Sequence, residues 1–353
     1  MAPFDFDILS SRVLFGPGTL DRLPAEIERL GCERALVLTT PHQRGLGVNA
    51  ISLIGRAQVG LLDTATMHTP VDVSERALAV ALERKADCFV AIGGGSTIGL
   101  AKALALRTDL PQIAIPTTYA GSEATPVIGE TKDGRKVTQR TPKVQPETII
   151  YDPRLSRDLP VDISVTSGVN AIAHAAEALY AQNRNPLIEA LAVLGIRALV
   201  AALPKIHRNP HDEEARSDAL FGAWACGVCL GTSDMALHHK LAHTLGGTFD
   251  LPHAPLHCVL LPYTLAYNSK AAPGAMAKLA EGFGSDDPIR ALRTLSTTLG
   301  APPSLAALGM PEEGIAVAAQ AALQNRYPNP AELTEAGLTD LLTRAYRGDD
   351  PLP

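Results

Sequence analysis

Apolar positions in the first 150 residues form short runs separated by amphipathic segments. Five runs of four to six mainly apolar residues, bounded by turn formers, predict strands buried on both faces. They cover residues 35–40, 59–63, 88–92, 112–116 and 148–152. Between them, apolar positions recur every three or four residues, as in Leu20, Leu23, Ile27 and Leu30. Strands that alternate with helices in this way indicate a parallel sheet covered by helices.

After Asp152 the pattern predicts helices alone. Eight segments have helical spacing and are separated by Pro, Gly and Asn: 164–182, 186–203, 213–230, 234–247, 274–283, 288–299, 311–323 and 332–345. A chain of 353 residues also exceeds the usual size of one hydrophobic core. We therefore predict an α/β domain with a Rossmann-like parallel sheet over residues 1–155 and an all-α domain over 156–353.

Composition narrows the class of protein. With 46% hydrophobic and 19% charged residues the chain is typical of a globular protein. Its net charge of -6 and scattered basic residues predict no nucleic-acid partner. The N-terminus lacks a basic region followed by an apolar core, and the apolar run 191–203, interrupted by Arg197, is too short to cross a bilayer. We expect a cytoplasmic protein without membrane association.

The five cysteines are scattered among apolar neighbours. Cys226 and Cys229 have the spacing of a redox or zinc motif, but they lie in an apolar helical run without a second such pair. A reactive thiol needs an exposed or electropositive setting. We expect all five to be packed thiols in a reduced protein.

Two segments at the predicted carboxyl ends of strands have the composition of a nucleotide site. Residues 91–96, Ala-Ile-Gly-Gly-Gly-Ser, lead from a strand directly into a helix. Glycines let a backbone approach a diphosphate, and the helix N-terminus offers free amide donors. Residues 115–123, Ile-Pro-Thr-Thr-Tyr-Ala-Gly-Ser-Glu, end the next strand with two hydroxyls. A tight turn and an ordinary polar loop are the structural alternatives.

Four of the ten histidines lie in residues 237–253, Leu-His-His-Lys-Leu-Ala-His-Thr-Leu-Gly-Gly-Thr-Phe-Asp-Leu-Pro-His. His239 and His243 are four apart in a predicted helix and share a face. Three hypotheses fit this stretch: a metal site, a proton-transfer site or a histidine-rich surface helix. His238 is predicted to face solvent, and a neighbouring histidine, His257, to brace the loop after Pro255.

These motifs, in this order, resemble the iron-containing alcohol dehydrogenase family. The resemblance covers the whole chain: Gly93-Gly-Gly-Ser96 with Lys102, Pro116-Thr-Thr118, Ser167 to Glu177 and the histidine stretch. The details are similar to the branch made up of maleylacetate reductases. This resemblance implies an NAD(P)H-dependent, homodimeric oxidoreductase with a nicotinamide-binding N-terminal domain, a helical C-terminal domain and an active site in the cleft between them.

The resemblance also implies cofactor contacts. Gly94, Gly95 and Ser96 would hold the diphosphate, Thr117 and Thr118 would contact the nucleotide, and Lys136 would reach the cofactor unless it is a solvated lysine. Two positions depart from the family pattern. Gly99 stands where many members have Asp, and Thr40 stands where NAD-preferring relatives often have Asp. The uncharged Thr40 leaves NADH and NADPH both open.

Whether a metal is needed depends on one amide. The positions that match the family's metal ligands are Asn170, His174, His239 and His253. Asn170 replaces the carboxylate, and a neutral amide is a weaker ligand for iron or zinc. We therefore predict that no metal is required. The alternative is a zinc ion held by His174, His239 and His253.

On this hypothesis the same groups act on maleylacetate, a conjugated keto-dicarboxylate, to give 3-oxoadipate in the catabolism of aromatic compounds. His243 would be the general acid, and His239, His253 and His174 would be oxyanion donors or substrate ligands. Lys240, Asn170 and Tyr119, with Asn329, would contact the substrate. The alternatives are a metal-dependent alcohol dehydrogenase, a lyase of the dehydroquinate synthase type and a nucleotide-sensing protein.

Overall fold

The chain forms two compact units. The computed structural model describes residues 4–8, 10–132, 135–324 and 327–351, except for the side chains of 135 and 136. The N-terminal unit comprises residues 8–159, and the helical unit comprises residues 4–7 together with 160–351. The division follows Leu159, slightly beyond the predicted 155, because Asp152 and the turn Pro153–Ser156 still belong to the first unit. The Asp152 carboxylate accepts a hydrogen bond from the Leu20 amide at 3.2 Å.

The N-terminal unit contains a six-stranded parallel sheet in the order β1-β8-β5-β4-β2-β3. Its strands are β1 Arg12–Phe15, β2 Ala35–Leu38, β3 Gln58–Leu62, β4 Cys88–Gly93, β5 Gln112–Pro116 and β8 Thr148–Tyr151. Its helices are α1 Leu23–Arg29, α2 Arg44–Ile54, α3 Val71–Glu83 and α4 Gly95–Thr108. An antiparallel hairpin joins β6 Val127–Lys132 to β7 Arg135–Arg140. The five predicted strands and their parallel arrangement are confirmed.

Two features of this unit have weak sequence signals. Strand β1 has only four residues, of which Leu14 alone is buried, and its apolar run of three is shorter than those of the predicted strands. The hairpin is rich in charged and polar residues. Neither was predicted. Neither changes the carboxyl edge of the sheet, which is where open parallel sheets bind ligands. There β4 and β5 pair in parallel with Gly93 opposite Pro116, which brings the two predicted nucleotide segments together.

The helical unit contains nine helices among its described residues. They are α5 Val161–Ala178, α6 Pro186–Arg208, α7 Glu213–Thr232, α8 Leu237–Phe249, α9 His253–Ser269, α10 Pro273–Phe283, α11 Pro288–Thr298, α12 Gly314–Leu323 and α13 Glu335–Arg347. No strand occurs in the part of this unit that the structure describes, as predicted.

Helix α9 is missing from the sequence-based prediction. It is buried over most of its length, so its sequence lacks the apolar stripe of an amphipathic helix. Pro255 and Pro262 also lie within it. Pro262 would ordinarily argue for a break, because proline cannot donate the helical hydrogen bond. This helix contributes His253 and His257 to the site described below.

Helix α6 is the one described helix that is long and apolar enough to span a membrane by itself, and α7 with α8 would pass the same test only as a sharply bent pair. The sequence-based estimate of its length was wrong, because the helix continues through Pro204 to Arg208. Its apolar side is nevertheless packed inside the unit, where Ile196, Leu199 and Leu203 are fully buried. One side of α6 is therefore a core face, whereas Leu187 and Leu194 of the same helix are exposed.

All five cysteines are buried and unpaired with one another. Cys226 and Cys229 lie on α7, and the Cys226 sulfur packs against α6 at Gly195. Burial raises the pKa of Cys229 to about 12 and that of Cys226 well above its ordinary value. These thiols are core packing groups, as expected.

Candidate active site

The glycine-rich turn connects β4 to α4, and its first two glycines have no room for a side chain. Gly93 has a φ of 157°, and a Cβ there would lie 2.4 Å from the Thr97 hydroxyl. A Cβ on Gly94, the residue before α4, would lie 2.8 Å from Cγ2 of Thr118. Gly95 is exposed and Ser96 is half-buried. A helix N-terminus of this kind is suited to bind a diphosphate, and the cofactor contacts of Gly94, Gly95 and Ser96 stay a prediction.

Thr117 and Thr118 lie beside this turn but in different environments. Thr117 is buried, its amide donates to the Gly93 carbonyl at 3.1 Å, and its hydroxyl accepts from Gln43 Nε2 at 2.8 Å. Thr118 is half-buried and remains accessible. Gln43 was not anticipated, since a lone glutamine after a strand has no distinctive pattern. It joins the loop after β2, where Thr40 lies half-buried, to the loop after β5.

A buried lysine holds the loop after β5 in place. Lys102, on α4, is 1% exposed, and its ammonium group reaches four acceptors. These are the carbonyls of Ser122 at 2.6 Å, Thr125 at 2.6 Å and Val127 at 2.9 Å, and the Thr125 hydroxyl at 3.0 Å. Burial lowers the pKa of Lys102 to about 7, against the opposing effect of the Glu123 carboxylate. Lys102 thus fixes the backbone that follows Thr117 and Thr118.

The structure gives a reason for one departure from the family pattern. A Cβ on Gly99 would lie 2.3 Å from the Thr69 hydroxyl. His68 and Thr69 have φ values of 63° and 45°, so their backbone conformation brings this hydroxyl against α4. The space that an aspartate at position 99 would need is therefore taken by Thr69. Lys136 belongs to β7, but its side chain lies outside the described residues, so its cofactor contact stays a prediction.

A cluster of histidines lies within the helical unit. Its side chains come from α5, α8 and α9, and α9 packs on both of the other helices. His174 and His239 have ring centroids 5.2 Å apart, and His243 stacks on His253 with centroids 6.4 Å apart. The four predicted catalytic histidines thus lie in one cluster. His174 and His239 are buried, whereas His243 and His253 are half-buried.

Glu177 fixes the orientation of His239. Its carboxylate lies 2.7 Å from His239 Nδ1 and also accepts from the amides of Ala236 at 3.0 Å and His238 at 2.8 Å. Burial acts to raise the pKa of Glu177, but the hydrogen bond from His239 and the other nearby donors lower it to about 2. An ionised carboxylate only accepts, so His239 donates from Nδ1. Glu177 was not among the predicted site residues, although it ends the motif from Ser167.

Two predictions about neighbouring histidines were wrong. His238 and His257 are both 0% exposed, and His238 Nε2 lies 2.8 Å from His257 Nδ1. His238 Nδ1 in turn lies 3.1 Å from the Thr264 hydroxyl. Burial lowers the pKa of His238 to about 3 and that of His257 well below its ordinary value, so both rings are neutral at neutral pH. The error follows from the missing helix α9, which covers His238 and contributes His257.

Several buried polar atoms of this cluster have no hydrogen-bond partner within the described residues. They are Asn170 Oδ1, His174 Nδ1, His239 Nε2 and His257 Nε2. An unsatisfied buried polar atom costs about 1–3 kcal/mol, and in native proteins such atoms usually indicate an unseen ligand or water. The cluster is therefore suited to bind a polar ligand.

The remaining predicted contacts differ in their surroundings. Lys240 Nζ lies 5.7 Å from the ring centroid of Tyr327. Asn329 is paired with Asn268 through two amide hydrogen bonds of 2.7 and 3.0 Å and also accepts from the Leu237 amide, so its side chain is occupied in holding the chain beside α8. Tyr119 is completely buried in the N-terminal unit. Its contact with a substrate stays a prediction.

The donor set does not fit the iron site of an alcohol dehydrogenase. Asn170 is neutral where a carboxylate is expected, and Glu177 is occupied by His239. Only one group of three His, Cys, Asp or Glu residues in the described ranges has ligand atoms all within 4.8 Å of one another, and it is Cys32, Asp87 and Cys88 in the N-terminal unit. The Asp87 carboxylate accepts there from the amides of Glu33 and Arg34, which explains its position without a metal.

Comparison with known proteins supplies the family. The model of iron-containing alcohol dehydrogenases matches residues 10–153, and the C-terminal model of the same family matches residues 164–346. The chain belongs to the iron-containing alcohol dehydrogenase family. The protein is therefore a nicotinamide-dependent oxidoreductase, with the α/β and all-α domains predicted from its sequence.

Individual members of this family are similar over their full length. The maleylacetate reductase of Pseudomonas knackmussii is 53% identical over 348 residues, and that of Sphingobium indicum is 51% identical over 349 residues, with 99% of both chains covered in each case. The crystal structure of maleylacetate reductase from Rhizobium sp. strain MTP-10005 has a TM-score of 0.95 at 50% identity, covering 99% of this chain and 100% of that one.

Proposed function

We propose that the protein reduces the conjugated carbon–carbon double bond of maleylacetate to give 3-oxoadipate, with NADH or NADPH as the electron donor, in the catabolism of aromatic compounds. The observation that supports this most strongly is a cluster of neutral, buried imidazoles with unsatisfied ring nitrogens beside a neutral Asn170. The full-length similarity to maleylacetate reductases supports the same substrate.

The chemistry requires a donor to oxygen and a donor to carbon. When bound, the nicotinamide supplies a hydride to the alkene carbon remote from the ketone. Negative charge then develops on the ketone oxygen as an enolate, and the carbon next to the carbonyl takes a proton. The net reaction consumes one reduced nicotinamide and one proton. Hydrogen-bond donors already directed at the position of the enolate oxygen, in a site without water, lower the activation barrier for hydride transfer.

We assign the proton transfer to His243. It is half-buried, whereas His174 and His257 are buried, so it can be reprotonated from solvent after each turnover. His239, His253 and His174 are assigned to the substrate oxygens, with Asn170 as a further polar contact. His239 can donate from Nε2 only in its doubly protonated form, because Nδ1 already donates to Glu177.

Cationic recognition of the two substrate carboxylates is assigned to Lys240. Its ammonium group lies over the Tyr327 ring, and this cation–π contact fixes its position. The nucleotide contacts are assigned to Gly94, Gly95, Ser96, Thr118 and Thr40, with Thr117 holding the loop. We further propose a cytoplasmic homodimer that needs no metal and binds neither nucleic acid nor membranes.

One assay tests the reaction and the metal together. Protein dialysed against a chelator is mixed with maleylacetate and NADH, and then NADPH, while absorbance is followed at 340 nm. We expect maleylacetate-dependent oxidation with at least one nicotinamide. Absence of turnover with both would refute the substrate. Activity that returns only when ferrous or zinc ions are added would instead favour a metal-dependent dehydrogenase.

A further inference from the structure

His257 lies in the middle of the histidine cluster. Its ring centroid is 4.4 Å from that of His253, 4.8 Å from His238, 5.1 Å from His239 and 6.4 Å from His174. The side chain is completely buried, and Nε2 has no hydrogen-bond partner in the described residues. Its other nitrogen, Nδ1, is held 2.8 Å from His238 Nε2. The contact at Nδ1 therefore fixes the direction in which Nε2 of His257 can form a hydrogen bond with a ligand.

The neighbours of His257 allow two arrangements of protons. In one, the Thr264 hydroxyl donates to its own helix at Leu261, 3.1 Å away, His238 donates from Nδ1 to Thr264, and His257 donates from Nδ1 to His238. His257 Nε2 is then an acceptor. In the other, Thr264 donates to His238, His238 donates from Nε2 to His257, and His257 Nε2 carries the proton. Both arrangements keep every ring neutral.

This freedom distinguishes His257 from His239. Glu177 holds the proton of His239 on Nδ1, so a neutral His239 presents a lone pair from Nε2. A keto-dicarboxylate, and the enolate formed from it, offer acceptors only. His257 can meet such an oxygen with an N–H without taking a positive charge into a buried site, where a charge would be costly.

We propose that His257 is a catalytic residue that donates a hydrogen bond from Nε2 to the enolate oxygen, and that His238 is the residue that positions it. This inference rests on the proposed function, since it assumes an enolate. Substrate binding selects the proton arrangement in which Thr264 donates to His238. Every group carries the same number of protons in both arrangements, but in each ring the proton on Nδ1 is released and another is taken up at Nε2, by exchange with solvent before the substrate binds.

Steady-state kinetics of four variants test the roles. Loss of one donor to an oxyanion typically costs about 10²–10³ in kcat, so we expect His257→Leu to lower kcat by about 10²-fold with little change in KM for maleylacetate. His257→Gln, which can place an amide N–H near the same point, should recover part of the loss. His238→Phe should lower kcat by about tenfold. The control His207→Phe, on the exposed last turn of α6, should leave kcat unchanged.

Two kinetic outcomes would overturn the proposal. One is a kcat of His257→Leu within twofold of the parent protein. The other is a loss confined to KM, which would mean that His257 binds a carboxylate only. Urea unfolding of each variant shows whether it is folded, and the conservative His257→Gln keeps the test decisive if the leucine variant is not.

Nitrogen-15 NMR of histidine-labelled protein tests the proton arrangement without turnover. With maleylacetate and no nicotinamide, we expect the proton of His257 on Nε2 and that of His238 also on Nε2. Protons on Nδ1 of both rings in the complex would contradict the proposal. If the unmodified protein does not oxidise NADH with maleylacetate, the proposed function fails. Binding of maleylacetate in the NMR experiment would still show whether His257 is a ligand-contacting donor.

Discussion

Glu177 affects the histidine cluster without facing the unsatisfied atoms itself. It accepts the His239 Nδ1 proton and two backbone amides at the start of α8. Its charge is thereby balanced by two amides at the N-terminus of α8 and by the imidazole of His239 on the same helix. A single carboxylate in this way sets both the direction of a ring and the beginning of the helix that carries it.

Replacing the Glu177 carboxylate by an amide should remove its control over the orientation of His239 while keeping its buried volume. We expect Glu177→Gln to lower kcat by about 10²-fold, because an amide accepts at one end only and no longer fixes the proton of His239 on Nδ1. The free energy of unfolding should fall by about 1–3 kcal/mol, since one buried donor loses its partner. Steady-state kinetics with maleylacetate and urea unfolding measure the two effects. Glu281→Gln, on the exposed surface of α10, is the control; an equal kcat in both variants would contradict the role.

Lys102 offers a comparable test on the nucleotide side. Lys102→Met removes four hydrogen bonds from the loop at Ser122, Thr125 and Val127 while keeping most of the buried volume. We expect the dissociation constant for NADH to rise by about tenfold, equivalent to about 1.4 kcal/mol, as measured by the fluorescence of the bound nicotinamide. Lys143→Met, which affects an exposed ion pair with Asp109, should leave it unchanged. If Lys102→Met binds NADH as tightly as the parent protein, the hydrogen bonds of Lys102 do not contribute to nucleotide binding.

Sequence motifs identify some of these residues and miss others for a physical reason. Gly94 and Thr118 approach each other closely, and both lie in motifs that the sequence shows directly. Glu177, Gln43 and His257 act through partners distant in the chain. Glu177 and His239 are 62 positions apart, and Gln43 and Thr117 are 74 apart. Spacing within one helix cannot predict such pairs.

At the scale of elements, the turn between β4 and α4 works because it contacts the loop after β5. Gly94 and Thr118 approach so closely that a methyl group on Gly94 would lie 2.8 Å from Thr118 Cγ2. The φ of Gly94 is -86°, which any residue can adopt. Crowding between two elements, and not backbone conformation, is therefore what excludes a side chain at this position.

A compensating pair of substitutions tests this contact. We expect Gly94→Ala to weaken NADH binding by about tenfold, because overpacking of this kind costs about 1–3 kcal/mol. The double variant Gly94→Ala with Thr118→Ser should regain most of the affinity, since serine keeps the hydroxyl and lacks Cγ2. Titration of NADH fluorescence compares them, with Thr118→Ser alone as the reference. No recovery in the double variant would show that the alanine interferes with the cofactor directly.

A helix could be predicted when it has one apolar and one polar face, and a strand when it has a continuous apolar run. Strands β2 to β5 have uninterrupted or nearly uninterrupted apolar runs, and α11 and α13 have one buried stripe each. Helix α9 is surrounded by protein and has no polar face to set its period. Its absence from the prediction caused the two errors at His238 and His257, because the burial of a residue depends on what packs over it.

At the scale of the whole molecule, a buried carboxylate joins two elements of the N-terminal unit through ion pairs. Glu26 on α1 is 2% exposed and accepts from Arg12 on β1 at 3.0 Å and from Arg29 at 2.7 Å. Burial acts to raise the pKa of Glu26, but these two guanidinium groups outweigh it and lower the pKa. The carboxylate thus ties the edge strand β1 to the first helix.

The direction of this shift sets a pH dependence. The stabilisation is complete above the unfolded pKa of about 4.5 and is lost as the pH falls through the lower folded value. We expect Glu26→Gln to reduce the free energy of unfolding by about 1–3 kcal/mol at pH 7 and by less below pH 4. Urea unfolding followed by circular dichroism at both pH values measures this. Glu28→Gln, exposed on the same helix, is the control; a difference that does not shrink in acid would argue against the ion pairs.

Because all five cysteines are buried, the rate at which each thiol can be labelled reports local unfolding of the native protein around it. Their sulfur atoms are shielded, and burial raises the pKa of each thiol. Alkylation requires an accessible thiolate, so iodoacetamide should label each site only as fast as the surrounding helices or strands separate. Cys258 would report the opening of α9 and Cys88 that of the sheet. Mass spectrometry of the labelled peptides would then rank local stability across the chain without any mutation, and would show whether substrate or nicotinamide slows the opening of each unit.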